Sequence, residues 1–188
     1  MHEVIWHGRG GQGVVIAAQI LAESAYLQGF KGVTSAPTFG PERRGAPLTA
    51  STRISDTPIR TFSQIDKADI AVVLDPSLFG VVNILGSLKS RGLLIINTPQ
   101  KAEEVDVPGC IAIATADAAA IAIRFHLFKE GAPLVNTPML GVLSKASNLV
   151  SLEHLEKGLK WKLSGTAAAT NIAALRAAYE EASIKTIA

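Results

Sequence analysis

The sequence predicts an α/β fold: a single domain with a mostly parallel open sheet, helices on both faces, a β-hairpin excursion and a helical C-terminal third. Three observations predict it. The stretch HGRGGQGVV, residues 7–15, joins a short apolar run to a helical pattern through a glycine-rich turn. Residues 70–75, Ile70-Ala71-Val72-Val73-Leu74-Asp75, are continuously apolar up to an acid and a proline, as in a strand buried on both faces. Hydrophobic residues make up 48% of the chain and aromatic ones only 5%, so the apolar mass is aliphatic, which suits helices packed on a buried sheet.

Each element follows in order. Residues 3–7 form the first strand, and residues 12–28 an amphipathic helix in which Val14, Ala18, Leu21 and Ala25 share one face, with Gly29 ending it. Residues 31–36 read as a second strand. PTFGPERRGAP, residues 37–47, carries three prolines, two glycines and three charges and reads as loop. Residues 48–55 and 59–62 flank Asp56-Thr57-Pro58 and read as a hairpin from which Arg53 and Arg60 project. The strand at 70–75 resumes the parallel sheet, followed by a helix over 78–88 and strands at 93–96 and 111–114. An alanine-rich helix over 117–128 comes next, then a helix start at Asn136-Thr137-Pro138. A helix with Leu152, Leu155, Leu159 and Leu163 on one stripe precedes a last one built on Ala168, Ile172, Leu175 and Tyr179. No repeat or composition break divides the chain, which reads as one domain, 1–188.

Composition excludes several function classes. Lysine and arginine number 18 against 16 acids, and no basic run exceeds Arg43-Arg44, so the electrostatic footprint of a nucleic-acid binder is missing. One cysteine, Cys110, can form no internal disulfide and cannot hold an iron–sulfur cluster by itself, and it points to a reducing, cytoplasmic setting. With no basic leader and no apolar run of membrane-spanning length, the sequence reads as soluble and untargeted. His7, His126 and His154 lack metal-ligand spacing, and no serine sits in a G-x-S-x-G elbow.

Two loops carry the chemistry. Gly8, Gly10 and Gly13 have G-x-G-x-x-G spacing, so backbone N–H groups at the helix start, helped by the helix dipole and Arg9, suit a phosphate. The same glycines also suit close strand–helix packing with no ligand. Residues 31–36 contain no acid to hold a ribose, which argues against a bound dinucleotide. In the second loop Arg43 and Arg44 stand between Pro41 and Pro47, a rigid presentation of two guanidinium forks that suits a carboxylate, a phosphate or an acidic partner, with pairing to Glu42 or nearby acids as the alternative. Asp75 lies where open α/β sheets place ligands, and its preferred reading is an acid at the helix start before Leu78. Cys110 reads as an inert buried thiol.

HGRGGQGVV, FGPERRGAP, TRISDTPI, VVLDPSL and NTPMLG, in this order over nearly the whole chain, resemble the gamma subunit of the 2-oxoacid:ferredoxin oxidoreductases, with the pyruvate enzyme as the nearest member. The resemblance implies an accessory subunit of a complex that decarboxylates a 2-oxo acid to acyl-coenzyme A and CO2, with pyruvate leading and phenylglyoxylate or indolepyruvate as aromatic alternatives. It implies thiamine diphosphate, Mg2+ and 4Fe-4S clusters on alpha, beta and ferredoxin-like delta subunits, coenzyme A as co-substrate, and ferredoxin or a flavin/NAD subunit as electron acceptor. The residues it marks for coenzyme A or a subunit interface are Gly8, Arg9, Gly10, Gly11, Gln12 and Gly13, with Gly40, Pro41, Glu42, Arg43, Arg44 and Gly45. No catalytic residue and no cofactor is expected on this chain alone. The rival readings are a free-standing NAD-dependent dehydrogenase and a regulatory module that binds coenzyme A or a nucleotide.

Overall fold

A computed structural model describes residues 1–37, 44–61, 63–109 and 111–186. Its strands are β1 (His2–Arg9), β2 (Gly32–Pro37), β3 (Pro47–Ser55), β4 (Ala68–Val73), β5 (Leu88–Asn97), β6 (Ala112–Ala116), β7 (Phe128–Lys129), β8 (Ala132–Pro133) and β9 (Ser183–Lys185). Its helices are α1 (Val14–Gln28), α2 (Ala118–Arg124), α3 (Asn136–Ser147), α4 (Leu152–Lys162) and α5 (Gly165–Glu181).

Seven strands form one sheet in the order β2-β3-β1-β4-β5-β6-β9. The run β1-β4-β5-β6 is parallel, while β3 is antiparallel to both of its neighbours and β9 is antiparallel to β6. Five strands therefore share one direction, and the sheet is mixed but mostly parallel. Side-chain alternation splits its apolar residues between two cores. Val4, Trp6, Ile70, Val72 and Ile95 face the larger one, which all five α-helices help to build. Ala71, Val73, Leu94 and Ile96 face a smaller core closed by Leu78 and Ile84. The expected helical cover on that second face takes the form of short 3₁₀ turns at Pro76–Gly80 and Leu85–Ser87.

Those turns correct the expected helix over 78–88. Gly80 and Gly86 weaken it, and the Asn83 side chain accepts the Gly86 N–H at 3.0 Å, a local bond that competes with helix. Leu78, Ile84 and Leu88 still point into the smaller core, which is why their spacing looks helical.

The hairpin is also corrected. No strand exists at residues 56–61, and Phe62 lies outside the described residues. β3 finds both partners elsewhere, inserting between β1 and β2. Its register sets Arg53 directly opposite Glu3, so Arg53 does not project: it is 6% exposed and its Nε lies 3.1 Å from the Glu3 Oε1. Arg60 is exposed.

The alanine-rich helix stops at Arg124, four residues short of expectation. Phe128–Lys129 and Ala132–Pro133 pair across Glu130-Gly131, both at positive φ (51° and 82°), the geometry of a two-residue type I′ turn. β9, three residues long, was beyond the reach of periodicity.

Candidate functional site

The glycine turn lies where β1 leaves the sheet, at the C-terminal ends of the parallel strands, where open α/β sheets bind ligands. Two of its three fingerprint glycines are explained by packing. A Cβ on Gly8 would stand 2.5 Å from the Val14 Cγ2, and one on Gly13 2.5 Å from the Asn136 Nδ2. Gly13 also caps α1 at φ 81°, in the left-handed region that a side chain disfavours. The packing alternative thus holds for these two positions.

A cleft of about 620 Å³ opens beside the turn. Arg9, Gly10, Gly11, Gln12 and Gly13 line it, as do Arg44 and Gly45; Gly8 does not. Gly40, Pro41, Glu42, Arg43 and also Cys110 lie outside the described residues. Lys129, Glu130, Ala132 and Pro133 of the short hairpin also line the cleft; sequence reasoning missed this hairpin, whose local signal is Gly131 alone. Val15, Ile16 and Leu48 supply apolar floor.

Helix geometry leaves the N–H groups of Val14, Val15 and Ile16 without intrahelical acceptors; the first turn of α1 has no side-chain cap and no acid. The cleft thus meets the positive end of a 15-residue helix. Arg44 reaches it from a bridge to Gly10, flanked by Gly10 N–H to the Ala46 carbonyl (2.9 Å) and Gly45 N–H to the Gly10 carbonyl (3.1 Å). Its guanidinium pairs with the Glu130 carboxylate at 2.6 Å, an exposed pair worth little in water.

Arg9 and Gln12 are tied inward. Arg9 Nε donates to the Asp75 Oδ2 at 3.1 Å, its Nη1 to the Gly45 carbonyl at 3.0 Å and its Nη2 to the Ser77 Oγ at 2.8 Å. Gln12 Nε2 donates to the same Asp75 oxygen at 3.1 Å, and its Oε1 accepts the Arg9 N–H at 2.7 Å. Asp75 also caps the 3₁₀ turn by accepting the Ser77 N–H, which is the helix-start reading of this acid, and it is not among the residues that line the cleft. Desolvation pulls the Asp75 pKa up, but the bonds from Ser77 and Gln12 and the Arg9 cation outweigh it, leaving the carboxyl below its usual range.

His7 is buried under the second face. Desolvation lowers its pKa to about 4; Nε2 lies 3.3 Å from the Ser87 Oγ and Nδ1 has no partner. His126 is exposed, and His154 Nδ1 contacts Ser151 Oγ at 2.7 Å. Among the described residues no three His, Cys, Asp or Glu side chains converge as metal ligands, and a single cysteine does not fit a cluster that needs four thiolates. No described helix is long and apolar enough to cross a membrane.

A family model, "Pyruvate ferredoxin/flavodoxin oxidoreductase", matches residues 3–181. The chain is 46% identical to the pyruvate/ketoisovalerate oxidoreductases common subunit gamma of Pyrococcus furiosus, covering 98% of both chains. It is 38% identical to the NADH-dependent phenylglyoxylate dehydrogenase subunit gamma of Aromatoleum evansii, covering 98% of this chain and 95% of the relative. Among solved structures, pyruvate oxidoreductase subunit PORC from Thermotoga maritima superposes with a TM-score of 0.83 at 33% identity over 98% of each chain.

Proposed function

The chain belongs to the pyruvate ferredoxin/flavodoxin oxidoreductase family as a gamma-type subunit of an oxidoreductase complex, and we propose that its cleft receives the phosphate-bearing end of coenzyme A while the chain covers an active site built by other subunits. The observation that carries this reading is that an uncapped helix start, Arg44 and Lys129 line one cleft. Backbone N–H donors suit a pyrophosphate, and a guanidinium fork suits a terminal phosphate. Val15, Ile16 and Leu48 offer apolar contact to the thioester-forming arm.

In this reading the complex oxidatively decarboxylates a 2-oxo acid and transfers the acyl group to coenzyme A. Thiamine diphosphate, Mg2+ and 4Fe-4S clusters sit on alpha, beta and delta-type partners, and electrons leave to ferredoxin or to a flavin/NAD subunit. Pyruvate is the proposed substrate, because the names of the Pyrococcus relative and the Thermotoga structure include it. An aromatic 2-oxo acid is the second reading, favoured by the Aromatoleum relative.

Steady-state kinetics of the assembled complex carrying Arg44→Ala tests the proposal. Loss of a charge-assisted pair raises the KM for coenzyme A by about 10- to 100-fold and leaves the KM for the 2-oxo acid unchanged. If the complex instead fails to assemble, or assembles with the coenzyme A KM unaltered, the cleft is a subunit contact and the ligand reading is lost.

A further inference from the structure

We propose that Asp75 is a positioning residue of the cleft: its carboxylate holds Arg9, and Arg9 in turn pins the 44–46 segment against the glycine turn. This rests on the reading of the cleft as the coenzyme A site only for its functional consequence; the geometry is independent of it.

The carboxylate is shared among three segments of chain. One oxygen accepts from Arg9 Nε and Gln12 Nε2, both at 3.1 Å, fixing the glycine turn at two points. The other accepts the backbone N–H of Ser77 at 3.0 Å and its hydroxyl at 2.6 Å, fixing the turn that follows β4. The third segment is reached through Arg9, whose Nη1 donates to the Gly45 carbonyl at 3.0 Å. Arg9 therefore spends its Nε and both Nη groups inside the protein: on Asp75, on Ser77 and on Gly45. Its side chain is only 28% exposed. That commitment makes it a strut of the wall, where the sequence alone offered it as a phosphate ligand.

The strut matters because, apart from the exposed contacts of the Arg44 side chain with Glu130, few bonds hold the segment. The bridge between Gly10 and Arg44 is isolated, with two backbone hydrogen bonds beside it, and so short a pairing is marginal alone. The Arg9 bond to the Gly45 carbonyl adds a third tie to the backbone of the segment, at the residue next to Arg44. Without the carboxylate, the guanidinium loses its charged partner and the geometry that aims Nη1 at Gly45, so the segment opens more often.

Hydrogen exchange of the full-length chain, with no ligand added, reads this directly. Asp75→Asn, nearly isosteric and still able to accept from Ser77, accelerates exchange in a peptide over 44–48 by about tenfold or more. Exchange in α3 and α5 stays as in the parent. Arg9→Gln is the second variant, at a partly exposed site that leaves the carboxylate in place, and it produces the same localised acceleration. Unchanged exchange over 44–48 in either folded variant overturns the proposal. The assembled complex with Asp75→Asn supplies the functional arm: the KM for coenzyme A rises while kcat and the KM for the 2-oxo acid hold. Faster exchange with an unaltered coenzyme A KM keeps Asp75 as the positioning residue and removes coenzyme A from the cleft.

Discussion

Single side chains divide into those committed to the framework and those left to act, and their charges decide which. Arg9, Gln12 and Asp75 form a closed hydrogen-bonded set, whereas Arg44 meets the exposed carboxylate and the carbonyl of Glu130. In the proposed coenzyme A site an incoming phosphate displaces Glu130 at small cost, since such pairs contribute about 0–1 kcal/mol in water. His7 makes stability depend on pH. Its folded pKa of about 4 lies below its ordinary value of 6.5, so between these limits the unfolded chain takes up a proton that the folded chain refuses. Stability therefore rises with pH through this window, by about 3 kcal/mol in total, and the contribution is flat above it. Urea titrations of the chain at pH 4.5 and 7 check this, and His7→Gln flattens the difference. The Asp75 carboxyl acts with the same sense lower down: its contribution is complete above the ordinary carboxylate value of 3.8 and is lost as pH falls through its depressed pKa.

At the scale of elements, the start of α1 is fitted between two neighbours. Gly13 combines a positive φ with contact against the Asn136 amide at the start of α3, so two helix starts meet at one glycine. Gly13→Ala costs about 1–3 kcal/mol, from left-handed strain plus displacement of Asn136. A double-mutant cycle with Asn136→Ala, read by denaturant midpoints, separates these contributions: the contact part vanishes in the double variant and the strain part remains. The hairpin β7–β8 shows how a small element makes a site. Four paired residues and a two-residue turn carry Lys129 and Glu130 to the cleft, opposite a loop more than eighty residues earlier in the chain. Its local signal was Gly131 alone, hidden because Ala118–Arg124 and the residues after it share a helical composition.

For the whole molecule, exposed apolar side chains include Ile16 at the cleft, Phe128 in the hairpin that lines it, and Phe79 and Val81 after β4. In the proposed complex these meet partner subunits. Val81, 60% exposed, tests it: Val81→Asp leaves the chain folded by circular dichroism and weakens its co-purification with the alpha, beta and delta-type chains. The isolated chain gives no turnover of a 2-oxo acid in that reading, and activity returns when the neighbours are restored. The sequence by itself determined what depends on local order: the strand–glycine turn–helix opening, the apolar runs that became β4, β5 and β6, the three C-terminal helices and, through five ordered motifs, the family. These are signals of periodicity and of residue type, which the chain carries without reference to distant contacts. Only the tertiary structure decided that β3 sits between β1 and β2, that Arg53 is buried opposite Glu3, that residues 76–80 and 85–87 form 3₁₀ turns, and that Arg9 is held by Asp75 while Lys129 joins Arg44 in lining the cleft. Pairing partners and the burial of charges are set by segments far apart in the chain, and their energies depend on desolvation and geometry that no local window contains.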